Sequence, residues 1–317
     1  MMKYCIGVDV GGTSIKAGLF KEDGTLIEKL SCPTVQGENG MLIYDDAVKL
    51  IESLIEGNSV EDRELLGIGI DMPGPVYGDG RLGQCPNIGV MGGYPAAEIT
   101  RRLRKTVRVE VVNDANASAF GEMFAGAGKG YGSICMVTLG TGVGGGIINE
   151  GSIVTGTHGA GGEIGHICVE DNETEYCNCG GRGCCEFYAS GTGIIRLYKR
   201  IRATGDPLKP YSDDEQIAAE DVCIRAREGD EAAIKAIDFA MEKLGKALSY
   251  VTYVADPEKF IIGGGVSEAD DLIMDRIKES IEKYTPLIKE KGREVIKAKL
   301  GADAGMYGAA GLCVYRF

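Results

Sequence analysis

The sequence predicts a two-domain α/β fold, and three observations carry that expectation. The chain has 317 residues, enough for two domains that each bury a core. Short runs with strand periodicity alternate with amphipathic helical stretches through the first half, and the second half is mostly helical. One unit occurs twice: residues 4–20 and 134–150 each read as apolar strand, glycine-rich turn and second strand.

The elements follow in order. CIGVDV, SIKAGLF and TLIEKL are strand runs separated by GG and DG turn signals. An amphipathic helix is expected over 41–56, a strand at GIGID, a helix near 95–105 and a strand at RVEVV. A helix opens at NDAN, and SICMVTLG and GGGIINEG are strands. Over 230–255, Ile234, Ile237, Met241, Leu244, Leu248 and Val251 keep a helical 3-4-3-4-3 spacing. That stripe is too short for a coiled coil and marks a buried core helix. EKFIIGGGVS is strand and turn, 268–283 is helix, and DAGMYGAAGLCVY closes the pattern as a helix.

Composition is that of a globular protein, 44% hydrophobic and 26% charged. A net charge of −13 with no basic block excludes an electrostatic nucleic-acid footprint. It does not exclude an anionic ligand, because backbone N–H groups bind phosphate whatever the net charge. No apolar run approaches the roughly 18 residues of a membrane helix. MMKYCIGVDV enters a strand directly, with nothing like a leader, so the expected location is the cytoplasm. Eleven cysteines, an odd number in a large chain, do not describe a disulfide framework. Cys5, Cys32, Cys135, Cys168 and Cys313 lie in apolar runs and read as ordinary buried residues. The cluster CNCGGRGCC needs its own explanation.

In IGVDVGGTSIKAGLF, Asp9 ends a strand just before Gly11, Gly12 and Thr13. The glycines admit a phosphate close to the backbone, and the acid suits a hydrated magnesium ion. Ile15, Ala17 and Leu19 alternate with Ser14, Lys16 and Gly18, so a strand follows the turn and a Walker A loop is excluded. A plain hairpin turn is the alternative. Gly140, Gly142 and Gly145 satisfy GxGxxG, but a strand follows where a dinucleotide fold needs a helix. Thr141 and the neighbouring amides fit better as a second phosphate cradle, and IIGGGVS is a third glycine turn. Asn113–Asp114 reads in two ways: a helix N-cap, or a carboxylate that takes a proton from a substrate hydroxyl.

GGEIGHICV presents Glu163 and His166, and His166 precedes Cys177 by 11 residues. Cys177, Cys179 and Cys184 then supply three thiolates in a tight loop. One histidine and three cysteines suit tetrahedral zinc, and four protein ligands make the site structural and closed. Cys185, beside Cys184, competes for the fourth place.

DVGGTSIKAGL, GIGIDMPGPV, PNIG, NDANASAFGE, LGTGVGGG, GGEIGHICV, CNCGGRGCCE, IIGGGVS and DAGMYGAA occur in the order of the ROK family of repressors and sugar kinases. The chain resembles that family over nearly its whole length. The stretch from Gly161 to Ile194 looks most like the family's bacterial glucokinases, although Cys185 stands where leucine is usual and PNIGVMGGYP departs from their PNLGW wording.

The resemblance implies an actin/hexokinase-like (ribonuclease H-like) two-domain ATPase fold, with ATP and a sugar in the interdomain cleft. It places 1–112 plus 304–317 in a smaller domain and 113–303 in a larger one carrying the zinc loop. Asp114 would be the general base. Asn87, Asn113, Asp114, Glu163, His166 and Glu186 would hold the sugar, with His166 shared between zinc and sugar. Asp9, Gly11, Gly12, Thr13, Lys16, Thr141, Gly142 and Gly264 would serve MgATP. The implied reaction is phosphorylation of a hexose 6-hydroxyl, glucose first, with N-acetylglucosamine, N-acetylmannosamine, fructose or allose as alternatives. A sugar-responsive regulator is the remote alternative, and a homodimer or homotetramer is the family's habit.

Overall fold

In a computed structural model, residues 2–35, 37, 40–103, 105–288 and 293–315 are described. The chain begins with β1 (Tyr4–Val10), β2 (Ser14–Lys21), β3 (Leu26–Pro33), α1 (Met41–Gly57), β4 (Leu65–Met72), α2 (Pro95–Leu103), β5 (Val109–Asn113) and α3 (Asp114–Ala125). It continues through β6 (Ile134–Leu139), β7 (Val143–Asn149), β8 (Ser152–Ile153), α4 (Cys185–Ala189), α5 (Gly191–Thr204), α6 (Ala219–Arg227) and α7 (Glu231–Ala255). It closes with β9 (Lys259–Gly263), α8 (Asp270–Tyr284), β10 (Glu294–Lys297) and α9 (Ala304–Val314). Every element expected from the sequence is present. The elements β8, β10, α4, α5 and α6 are not individually legible in the sequence. Among the described residues, no helix is long and apolar enough to cross a membrane.

The chain forms two compact units, one of residues 1–132, 146–162 and 299–317, the other of 133–145 and 163–298. The first-unit sheet has the order β3-β2-β1-β4-β5. β1 and β2 are antiparallel, whereas β1, β4 and β5 are parallel, so their C-terminal ends line up. One face is a conventional apolar layer, in which Ile6, Val8, Ile68 and Ile70 pack against Ile43, Ile51 and Leu54 of α1. The other face carries α9. A Cβ on Gly69 would fall 1.8 Å from the Ala309 carbonyl oxygen, so the helix backbone touches the strand. The α3–α9 crossing is as tight: a Cβ on Gly308 would lie 1.7 Å from the Ala117 carbonyl oxygen. Buried Glu122 fixes the approach to α9 by accepting the amides of Ala127, Lys299 and Leu300 at 2.6, 2.9 and 2.7 Å.

The expected boundary at residue 113 therefore moves. The α3 helix, residues 146–162 and 299–303 fall in the first unit, because α3 is packed along α9. In the second unit β10, β9 and β6 pair in parallel. The α7 helix buries Ile237, Met241, Leu244, Leu248 and Val251, as its spacing predicts, while Ile234 is half-buried. Cys5, Cys135 and Cys313 are buried and Cys32 is intermediate. Cys168 is exposed, against expectation, because its backbone bridges to Cys184 and its thiol turns toward Asp171 at 3.7 Å.

Replacing Gly308 by alanine forces a methyl group into a backbone carbonyl. The variant is expected to lose about 3 kcal/mol or more, read as a lowered midpoint in urea or thermal unfolding.

Candidate active site and metal cluster

The ends of β1, β4 and β5 bring three acids together in the first unit. Asp9 pairs in register with Asp71, and Asp71 with Val112, just before Asn113 and Asp114. After β1 the chain turns through Gly11–Thr13. The Gly11 amide donates to the Ser14 carbonyl at 3.0 Å, and Thr34 clips the turn by donating its hydroxyl to the Gly11 carbonyl at 2.6 Å. A Cβ on Gly12 would meet nothing within 4 Å, so this turn is open to a ligand. Lys16 reaches back to Asp9 at 3.0 Å and donates to the Ala302 carbonyl at 2.6 Å. Its ammonium thus ties the strand end to the segment entering α9.

The N-cap reading of Asn113–Asp114 holds. The Asn113 side chain caps α3, accepting the Ala115 and Asn116 amides at 3.0 and 3.2 Å. Its Nδ2 donates to the Gly74 carbonyl at 3.1 Å and to Asp114 Oδ1 at 2.9 Å. Asp114 Oδ1 also accepts the Ala115 amide at 2.9 Å. Partial desolvation raises the Asp114 carboxyl above the ordinary value; the Ala115 amide opposes the rise and the Asp9 charge adds to it. Asn87 is exposed on the 3-10 turn Pro86–Ile88, in a loop whose Cys85 packs against the same Gly74.

In the second unit, Thr141 and Gly142 form the turn between β6 and β7, closed by the Gly140 amide on the Gly142 carbonyl at 3.0 Å. Gly264 follows β9 at φ 84°, and a Cβ there would strike the Leu139 carbonyl oxygen at 2.5 Å. A cavity of about 490 Å³ is lined by Gly140, Thr141, Thr192, Ile195, Cys223 and Gly265, among others. Its size and partly apolar walls suit a nucleoside.

His166, Cys177, Cys179 and Cys184 converge, with their ligand atoms all within 4.8 Å of one another. The Cys179 and Cys184 sulfurs are 3.6 Å apart. The loop is shaped by the Cys177 amide on the Gly181 carbonyl and the Gly180 amide on the Cys177 carbonyl, both 2.8 Å. Cys185 is fully buried and is not one of the four converging residues, which decides between it and Cys184. Glu163 lies exposed beside the 3-10 turn Ile164–His166. Glu186, in the first turn of α4, accepts the Val143 amide on Oε2 at 2.9 Å.

Asp71 was not anticipated. It is fully buried, and among the described residues neither carboxylate oxygen meets a hydrogen-bond donor. Burial, then the Asp9 and Asp114 charges, raise its carboxyl well above the ordinary value. The available signal was an acid inside the otherwise apolar run GIGIDM. Below the unfolded carboxyl value of about 3.9, both states hold this proton and nothing is lost. At higher pH the unfolded chain releases it while the folded chain retains it, so stability falls as pH rises through the folded value. Asp71→Asn removes that liability. Its thermal midpoint should exceed the wild type's by a margin that widens as pH rises above the unfolded carboxyl value of about 3.9, measured by calorimetry.

The sequence model of the ROK family matches residues 5–315. A glucokinase of Halalkalibacterium halodurans is 36% identical over 320 residues, covering 98% of this chain and 94% of its own. The ROK hexokinase of Thermus thermophilus superposes with a TM-score of 0.82 at 28% identity, covering 97% of each chain. A ROK family glucokinase of Streptomyces griseus, solved in complex with glucose and AMPPNP, gives 0.72 at 32% identity with 98% of each chain covered. The mixed α/β architecture is that of the actin-like ATPase sugar kinases. Matched by family, by relative and by architecture along almost its full length, the chain belongs to the ROK family.

Proposed function

We propose that the protein is an ATP-dependent hexose kinase that phosphorylates the 6-hydroxyl of glucose. The carrying observation is Asp114, an acid with raised proton affinity, oriented by Asn113 at the start of α3. A general base for a sugar hydroxyl needs that placement and tuning. The glucose and AMPPNP bound to the Streptomyces griseus relative support the choice of substrates.

Asp114 Oδ1 is occupied by Asn113 and the Ala115 amide, so Oδ2 is assigned the substrate proton. As the sugar O6 bonds to the γ-phosphorus, its proton passes to Oδ2. The bond from the γ-phosphorus to the bridging oxygen breaks, and ADP leaves with that electron pair. Magnesium bound with ATP supplies neutralisation of the phosphate charge. Asp9 is the acid assigned to its hydration shell, and the turns at Gly11–Thr13, Thr141–Gly142 and Gly264 are assigned to the nucleotide. Asn87, Asn113, Glu163, His166 and Glu186 are assigned to the sugar hydroxyls.

The ion assigned to His166, Cys177, Cys179 and Cys184 is zinc. A zinc–sulfur bond of about 2.3 Å gives a tetrahedral sulfur–sulfur edge of about 3.8 Å. The 3.6 Å between Cys179 and Cys184 agrees with that edge. With four protein ligands the ion is structural. One nitrogen of His166 would hold the ion and the other would face the sugar, which would fix the tautomer.

Asp114→Asn should keep glucose binding while lowering turnover at least ~100-fold in an ADP-release assay. In the wild type, the acid limb of the kcat/KM profile should lie above the ordinary carboxylate value of about 3.9. Near-normal turnover of the variant rules out the base. Elemental analysis of protein purified without added metal should find about one zinc per chain. Cys184→Ser should lower both that content and the thermal midpoint. Glucose should give the highest kcat/KM in a panel with mannose, fructose, N-acetylglucosamine and N-acetylmannosamine.

A further inference from the structure

One continuous segment grips the nucleotide turn. It begins at the metal-cluster residue Cys184, which immediately precedes α4, and ends at Thr192 in the first turn of α5. Glu186 Oε2 accepts the Val143 amide at 2.9 Å. The Gly191 amide donates to the Gly140 carbonyl at 2.8 Å, and the Thr192 hydroxyl donates to the Thr141 carbonyl at 2.9 Å. The other arm of the cluster reaches the same place. Gly165, next to His166, sits so close to β7 that a Cβ on it would lie 2.2 Å from the Val143 carbonyl oxygen. A Cβ on Gly142 would in turn lie 2.4 Å from Glu186 Oε2, so the turn is moulded to that carboxylate.

We propose that Glu186 is a positioning residue for the nucleotide turn, through which the state of the metal cluster sets the affinity for nucleotide. This extends the role assigned to it above, contact with the sugar, and it rests on the kinase reading. The chemistry is simple. The Val143 amide must be held for the Thr141–Gly142 backbone to present one conformation, and a carboxylate acceptor is a strong holder. Glu186 is two residues from Cys184, so its own position depends on the loop that the ion closes. The other carboxylate oxygen lies 3.8 Å from the Cys177 sulfur, against the cluster itself.

The test measures binding of AMPPNP with magnesium, without sugar, to the full-length protein by calorimetry. Glu186→Ala should bind about tenfold more weakly, the equivalent of one charge-assisted hydrogen bond. Glu186→Gln, whose amide oxygen can accept the same N–H, should bind within about twofold of wild type. Removing metal with a chelator should weaken binding to the wild type by a similar factor, and should have much less effect on Glu186→Ala, whose link is already cut. In the wild type, hydrogen exchange at the Val143 amide should accelerate when metal is removed, a readout that needs no variant. Wild-type affinity in a folded Glu186→Ala, or exchange at Val143 indifferent to metal, overturns the proposal. Failure of the wild type to bind AMPPNP overturns the kinase reading itself, and the proposal with it.

Discussion

The first unit depends on a place where side chains are missing. The α9 helix reaches β4 through Gly69 and α3 through Gly308, so backbone meets backbone where a larger residue would hold the layers apart. That contact brings the start of α3 against the sheet, directly beyond the ends of β1 and β4. Asp9, Asp71 and Asp114 consequently share one small region, and their mutual repulsion shapes its electrostatics. Lys16 is the cation that offsets this charge, and its bond to Ala302 returns the connection to the entry of α9.

The second unit solves a different problem, that of holding a glycine-rich loop in one shape. Arg200 and Glu173 form a fully buried ion pair at 2.8 Å, and the Tyr188 hydroxyl donates to the same carboxylate at 2.9 Å. Lys243 pairs with Glu170 at 2.8 Å, and Lys246 donates to the Val169 carbonyl at 2.8 Å. These bonds anchor the chain between His166 and Cys184 to α4, α5 and α7. Buried ion pairs contribute little net stability once desolvation is counted, but they penalise any other arrangement of the loop. They act on residues 169–173, at one side of the loop that carries Cys177 and Cys179.

Much of this was legible in the sequence because it is local. The strand alternation around Lys16, the helical stripe of α7 and the spacing of Cys177, Cys179 and Cys184 are all carried by neighbours in the chain. Cys184 and Cys185 could not be separated, since adjacent residues differ only in the direction the backbone gives them; the start of α4 turns Cys185 inward. The unit boundary at 113 failed for a related reason. The partner of α3 is α9, far away in sequence, and small residues on both leave no amphipathic signature. Asp71 has no sequence signal beyond an acid in an apolar run, because the pairing of β1, β4 and β5 that sets it beside Asp9 and Asp114 joins strands distant in sequence.

The contact between α9 and β1 has a consequence for synthesis. Residues 304–314 lie against residues 4–10, so the first unit cannot close its sheet face until nearly 300 further residues have emerged after β1. Most of the second unit, 163–298, is contiguous and is complete before α9 leaves the ribosome. During that interval the face around Gly69 lies uncovered, together with Cys5 and Phe20, which in the folded unit pack against Met306, Ala310 and Cys313 of α9. That waiting apolar face is a site where a wrong partner could bind before α9 arrives.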